Sequence, residues 1–494
     1  MTDAADRNRL FFGDCLEILR QEFQPGSVDL IYLDPPFNSK RPYNVLFRDK
    51  SGEAEPSQMH AFDDTWTWGP ESEHAYEEMT DGGAPAKVAD AIESMRRLLG
   101  TNDMMAYLTM MTVRLVELHR ALAPTGTIYL HCDPTASHYL KVVMDAIFGT
   151  KNFRNEVVWL YAGGGIPRKD FPRKHDTILR YTKSDEYTFN PVYRPYSEGT
   201  VQRGRTQVKG KYFEEGLRAE GTPVNDWWPD VPKITSPTDP EKLGYPTQKP
   251  LALLHRIINA SSNEGDLVLD PFCGCGTTVD AAQSLGRRWA GIDISFFAID
   301  LIRERLRDRY GATVDAEAPS DGTPIPGRQF EISGIPETYE AAIALFQKNP
   351  FEFERWAVSL VGGQPNEKQV GDRGVDGRAR FPLSKRDRGH VLISVKGGAQ
   401  INPGFVRDLI GTMQSERAQL GVLVCLTEPT SNMKQAAAKA GSYTWPVTGE
   451  RYPRCQIVTI KQLLEGRRPA LPSLMKAYID APASGGAEQP ELFG

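Results

Sequence analysis

Cysteine is scarce. The 494 residues hold six (Cys15, Cys132, Cys273, Cys275, Cys425 and Cys455), too few and too scattered for a disulfide framework. The one close pair, Cys273 and Cys275, has no second pair at zinc spacing, so all six are expected to be reduced thiols and these two to be small packing residues. No run approaches the roughly 18 consecutive apolar residues of a membrane-spanning helix, which argues against membrane insertion. The first nine residues are polar and lack the apolar segment of a signal peptide, so the expected location is the cytoplasm. A positive charge excess is also missing. With 58 Lys and Arg against 64 Asp and Glu, the net charge of −6 excludes a uniformly basic nucleic-acid coat. No internal repeat is present.

Against these absences, 40% hydrophobic and 25% charged residues are globular averages, and the length corresponds to about two to four domains. Three short apolar runs stand out in the first 300 residues: Val28 to Leu33, Gly126 to His131 and Leu267 to Asp270. Each is too short for a helix and is bounded by Gly, Pro or Asp, the pattern of buried parallel strands; Trp289 to Asp293 is a fourth. Helical spacing is clearest at Met104 to Ala121 and Ala136 to Phe148. Residues 39 to 103 read as an acidic, Gly/Pro-punctuated insertion, in part a mobile loop, and residues 162 to 245 show no clear period. A linker at 316–327 separates residues 1–315 from a second domain at 328–468, with strands at Val391 to Val395 and Gly421 to Leu426, and a tail at 469–494.

Two motifs carry chemistry. Asp34-Pro35-Pro36-Phe37 follows an apolar strand, where ligand sites of open α/β sheets lie. It offers a carboxylate, a carbonyl fixed by the following proline and an aromatic face, which together would hold an exocyclic amine with its lone pair available for attack on a methyl group. A plain strand followed by a Pro-Pro turn is the bland alternative. Asp270 to Thr278 also follows a strand and enters a helix; Gly274 and Gly276 permit close backbone approach to a ligand, and Asp293, about twenty residues on, suits a ribose diol. A structural glycine turn is the alternative there.

Together these motifs resemble the amino-methylating, S-adenosylmethionine-dependent DNA methyltransferases of the permuted class, in which the catalytic motif precedes the cofactor motif. The resemblance spans about Arg9 to Tyr310 and includes Gly13-Asp14, Phe153 to Trp159, Tyr245 to Pro250 and Gly291-Ile292-Asp293. It implies a Rossmann-like, doubly wound α/β sheet with an inserted target-recognition region at 160–244. By the same resemblance Asp270, Phe272, Gly274 and Gly276 line the methionine end of the cofactor, Thr277 belongs to the same motif, Asp293 holds the ribose, Asp14 lies near the adenine, and Thr247 and Lys249 lie near the carboxylate. Asp34, Pro35 and Phe37 would bind a base flipped out of duplex DNA. Carbon-5 methylation of cytosine needs a Pro-Cys pair in such enzymes, and none occurs. Adenine N6 is favoured over cytosine N4 because cytosine members usually carry Ser where Asp34 stands. Protein amino-group methylation is disfavoured, since the related tetrapeptide there usually begins with Asn.

From Lys151 to Arg218 the chain carries 14 Lys and Arg against 8 Asp and Glu. A solvated face would explain the charge alone, but the segment falls in the recognition region, so Arg168, Lys169, Arg173, Lys174, Arg203, Arg205, Lys209 and Lys211 are candidates for DNA phosphates. In the second domain, Gly371 to Gly377 and Val391 to Lys396 resemble the PD-(D/E)xK nuclease core of the Mrr-like restriction family. There Asp376 would bind a divalent metal such as Mg2+, Lys396 would orient water and Glu354 could assist. Ser394 stands where that family has an acid or Gln, which weakens the metal expectation and leaves open a fold kept only to grip DNA. These readings point to a bacterial restriction-modification system acting on double-stranded DNA, with a homodimer left open. A restriction nuclease whose methyltransferase half only reads DNA is the competing class. In the tail, Gln489-Pro-Glu-Leu-Phe493 is similar to peptides that dock on the replication sliding clamp.

Overall fold

The computed structural model describes residues 7–36, 42–48, 54–63, 67–162, 168–203, 217–234, 239–243, 245, 247–314, 329–366, 374–384 and 387–474. The chain opens with β1 (Asn8–Phe12), α1 (Cys15–Glu22) and β2 (Val28–Leu33). Asp14 caps α1 by accepting from the Leu16 backbone N–H at 2.8 Å, and β2 is buried at every position but Asp29. The next part of the main sheet follows α2 (Asp103–Ala121): β3 (Leu122–Cys132), α3 (Ser137–Phe148), β4 (Phe153–Leu160), β5 (His175–Thr182) and the two-residue β6 (Trp227–Trp228). Then come α4 (Leu251–Ser261), β7 (Leu267–Asp270), α5 (Thr277–Ser284), β8 (Arg288–Asp293), α6 (Phe296–Tyr310), β9 (Thr313–Val314) and β10 (Gln329–Ser333).

These ten strands form one sheet in the order β6-β4-β5-β3-β2-β7-β8-β1-β10-β9. Neighbours are parallel except β5, which runs antiparallel to both β3 and β4. Both faces are covered. Leu19, Ile31, Leu33, Leu115, Leu130 and Ile292 pack on one side. Leu10, Leu30, Trp159, Ile257 and Trp289 pack on the other. This is a doubly wound α/β sheet, as the resemblance implied. Among the described residues no helix is long and apolar enough to cross a membrane.

The second sheet follows α7 (Tyr339–Lys348) and α8 (Pro350–Leu360). It runs β11 (Gln364–Pro365), β12 (Gly377–Pro382), β13 (Arg388–Lys396), β14 (Leu420–Cys425) and β15 (Cys455–Thr459), with α9 (Pro403–Ser415) between β13 and β14. β12 runs antiparallel to both β11 and β13, and β13, β14 and β15 are parallel, giving a small α/β domain.

Three expectations change. The insertion at 39–103 is in large part regular: an antiparallel pair at 42–48 and 54–63, then helices Pro70–Glu78 and Ala86–Leu99, the latter burying Val88, Ile92 and Met95 at helical spacing. The aperiodic stretch at 162–245 contains β5, whose residues Thr177 to Thr182 are all buried because that strand is covered on both faces and so shows no alternation. The second domain does not begin at Arg328, since Gln329–Ser333 pairs with β1 and extends the first sheet. The 316–327 linker and the clamp-like tail peptide lie outside the described residues.

Candidate functional site

Sheet order assembles the site. β2, β7, β8 and β1 are adjacent and parallel, so their C-terminal ends share one edge. Asp34 follows β2, Asp270 ends β7, Asp293 ends β8, and Gly13-Asp14 follow β1. Residues separated by up to 280 positions thereby meet around a cavity of about 380 Å³, which Asp14, Asp34, Pro35, Thr247, Lys249, Asp270, Phe272, Gly274, Thr277 and Asp293 all line. Gly276 is not among the lining residues and is the N-cap of α5.

The glycine turn is built for close approach. Gly274 and Gly276 have φ of 50° and 76°, in the left-handed region that disfavours side chains. A Cβ on Gly276 would come within 2.6 Å of Ile302 Cγ1, and one on Gly274 within 3.2 Å of Tyr245 Cε1. Thr247, also lining the cavity, is one of two non-glycine residues with positive φ among the described residues, a local strain of the kind concentrated at functional sites.

The carboxylates differ in their partners. Asp270 accepts from Phe272 N at 3.0 Å and from Thr278 Oγ1 at 2.5 Å. Burial, aided by Asp34 and Asp293, nevertheless pushes it up to about 7. Asp293 accepts from Gly274 N at 2.8 Å and Ser295 N at 2.9 Å, and burial with Glu352 nearby raises it to about 6. Asp14 is paired with Arg114 at 2.6 Å. Asp34 pairs through Oδ2 with Lys249, while its Oδ1 is buried with no hydrogen-bond partner among the described residues. An orphaned acceptor of this kind is costly unless a ligand supplies the donor.

Several contributors carried no recognised signal in the sequence. Arg114 is buried on α2 and also donates to Met110 O at 3.0 Å; a cation in the middle of a helix whose other charges lie towards its ends was its mark. Tyr32 lines the cavity and shares its hydroxyl with His131 Nδ1 at 2.9 Å. His131 Nε2 lies 3.2 Å from Asp176, which also accepts from Tyr161 at 3.0 Å.

Among the basic candidates, Arg168, Lys169 and Arg173 are exposed and Lys174 is half-buried, on the connection between β4 and β5. Phe171 stands among them, 96% exposed. The side chain of Arg203, together with Phe37, Arg205, Lys209 and Lys211, lies outside the described residues.

In the second domain the expected trio is drawn together. Asp376 Oδ2 accepts from Val395 N at 2.6 Å, Ser394 Oγ at 3.2 Å and Lys396 Nζ at 3.4 Å. Glu354 on α8 is raised to about 7 by burial and by Asp376, with Lys396 opposing. Among the described residues no group of three His, Cys, Asp or Glu side chains is placed to hold a metal ion.

Comparison with known proteins places this geometry. Residues 351–465 match a family described as NACHT-associated inactive Restriction Endonuclease 1. The Type II methyltransferase M.EcaI of Enterobacter cloacae is 28% identical over 335 residues, covering 56% of this chain and 64% of that protein, so this chain spans less than two thirds of that relative's length. M.HpaI of Haemophilus parainfluenzae is 33% identical over 230 residues, covering 45% of this chain and 68% of that protein. The DNA adenine methyltransferase YhdJ of Escherichia coli (strain K12) is 33% identical over 203 residues, covering 40% of this chain and 67% of that protein. The N6/N4 DNA methylase family matches residues 28–304, more than half of the chain and the whole of the carboxylate edge except Asp14, and this protein belongs to that family.

Proposed function

We propose that this protein transfers a methyl group from S-adenosylmethionine to the N6 amino group of adenine in duplex DNA, within a restriction-modification system. The observation that carries the reading is Asp34 Oδ1, a buried acceptor without a donor among the described residues, in a cavity lined by several carboxylates. The donor set suits the cofactor: Gly274 brings bare backbone to the cavity wall, Asp293 keeps a second lone pair on each oxygen for a ribose diol, and the raised Asp270 and Asp293 favour a cation. Bound there, S-adenosylmethionine would supply an electrophilic methyl group on a positively charged sulfur. Asp34 Oδ1 would accept one amino hydrogen and the Pro35 carbonyl the other, fixing the nitrogen in line. Lys249 holds the second oxygen of Asp34 and so its orientation. The base must leave the duplex, and the exposed Arg168, Lys169 and Arg173 around Phe171 offer charge and an apolar tip to the DNA. Asp at position 34 and the adenine-specific name of one relative support adenine over cytosine N4. Nucleoside mass spectrometry of DNA methylated by the purified protein tests this: N6-methyladenine is expected, and N4-methylcytosine alone would overturn the adenine assignment.

The carboxylate ring also sets a pH dependence. Asp270 and Asp293 hold their protons more tightly in the folded protein than in the unfolded chain, so their stability contribution is full in acid and is lost as pH rises through about 6 to about 7. Binding of a cation has the opposite slope, because it requires those protons to leave. Cofactor affinity should fall by up to about tenfold per pH unit below about 7, where Asp270 takes up its proton, and by up to about a further tenfold per unit below about 6, where Asp293 does. Calorimetry should show a shallower slope for S-adenosylhomocysteine, which lacks the positive charge, and equal slopes would contradict the electrostatic role of Asp270.

For the second domain, the reading with most support is a DNA-holding module rather than a nuclease. Ser394 donates to Asp376 where a further carboxylate would be needed, and Glu354, raised to about 7, is half-protonated near neutrality. Plasmid substrates, methylated or not, should stay intact with magnesium or manganese. Ser394→Glu should strengthen manganese binding by calorimetry. Cleavage lost in both Asp376→Ala and Lys396→Ala would restore the nuclease reading.

A further inference from the structure

The cavity at the carboxylate edge is not closed by the first sheet alone. Asn349, Phe351, Glu352 and Arg355, all at the start of α8, also line it. We infer that the second domain forms one wall of the cofactor pocket at its adenosyl end, so that cofactor binding and docking of the second domain are one coupled equilibrium. This rests on the reading of the cavity as the S-adenosylmethionine site.

Glu352 makes the junction specific. Its Oε2 accepts from Phe296 N at 3.1 Å, the first residue of α6 and three positions after Asp293, while its Oε1 accepts from Arg355 Nη1 at 2.8 Å. Both side chains are almost fully buried, at 8% and 3% exposure, and a buried charge of this kind persists only where partners satisfy it. The turn that carries Asp293 is thus held from two directions. Asp293 binds the Gly274 and Ser295 N–H groups of its own domain, and Glu352 binds the next backbone donor from the other. Glu352 is therefore a positioning residue, acting through Phe296 on the ribose acid.

Phe351 supplies surface. The Arg355 guanidinium lies 4.2 Å from the centre of its ring, which fixes the ring at the cavity wall. Ile294, immediately after Asp293, lines the same cavity and is 53% exposed, a large apolar side chain without full cover. An aliphatic and an aromatic surface beside a ribose-binding acid suit the faces of a purine. The attachment behind this wall is extensive. One contiguous apolar cluster runs from Leu10, Trp289 and Ile302 to Phe353, Trp356 and Ile393, so α8 is seated by core packing.

Because linkage is reciprocal, whatever strengthens docking of α8 strengthens cofactor binding by the same factor, and the reverse.

The test uses the full chain and S-adenosylhomocysteine. Phe351→Ala should weaken its binding about tenfold or more by calorimetry, with transfer recovering at saturating cofactor. Glu352→Ala should weaken it similarly and Glu352→Gln much less, since the amide oxygen still accepts from Phe296. Hydrogen exchange at 351–358 in the unmodified protein should slow on binding. Unchanged affinity in Phe351→Ala, or no slowing at 351–358, overturns the inference. Should Phe351→Ala fail to fold, the exchange measurement decides alone. If the unmodified protein binds no S-adenosylhomocysteine, the reading of the cavity itself fails, a distinct outcome.

Discussion

Asp34→Ala is expected to reduce methyl transfer by about 10²–10³-fold or more while changing S-adenosylhomocysteine affinity little, because it deletes an acceptor aimed at the amine. Its Oδ1 is buried without a partner among the described residues, so the unliganded protein pays for an acceptor that only a donor from outside can satisfy. Its Oδ2 is tied to Lys249, which leaves Oδ1 as the oxygen presented to substrate. The substitution also removes the carboxylate facing Lys249, which is mostly buried and keeps the Thr247 carbonyl at 3.3 Å, and a cost in stability is expected from the lost ion pair. Asp34→Asn separates the two effects: it keeps an acceptor but loses the charge facing Lys249. Tritiated methyl incorporation, calorimetry and a thermal melt on the same samples distinguish lost chemistry from lost folding. Full activity in the Ala variant would remove Asp34 from the reaction.

The strand-end acids were legible because each closes a short apolar run: Leu33 before Asp34, Val-Leu before Asp270, Gly-Ile before Asp293. Their convergence was not readable from local pattern. It depends on the strand order β2-β7-β8-β1, which only the family resemblance implied. Strand β5 escaped notice for a physical reason: covered on both faces and interrupted by Thr177, Arg180 and Thr182, it shows neither the alternation of a half-buried strand nor a continuous apolar run. The segment Phe351-Glu-Phe-Glu-Arg-Trp356 illustrates the limit most clearly. Sequence reasoning singled out Glu354, and the structure turns that carboxylate towards Asp376 and Lys396. Glu352, two positions earlier and so on a nearly opposite face of α8, points instead at the backbone of Phe296. The spacing told of two acidic faces, but nothing in it said that one would meet the start of a helix 56 residues upstream.

Asp293→Ala should weaken cofactor binding by about 10- to 100-fold, the range expected on losing a charged, partly buried acceptor worth roughly 1.5–3 kcal/mol. Two contributions combine. The ribose diol loses its acceptor, and the Gly274 and Ser295 N–H groups lose the carboxylate that now fixes the glycine turn to the end of β8. Asp293→Asn keeps one oxygen for one of those donors and should fall between the two. Turnover in the Ala variant should be partly restored by excess cofactor, because Asp34 and the target-base edge are untouched. The variant also bears on pH. Without the group raised to about 6, the loss of affinity in acid should still begin near the Asp270 value of about 7, and its slope below about 6 should drop by about one proton. A dissociation constant equal to that of the unmodified protein, with an unaltered pH slope, would show that the ribose is held elsewhere and that Asp293 serves only to lock the turn between β7 and α5.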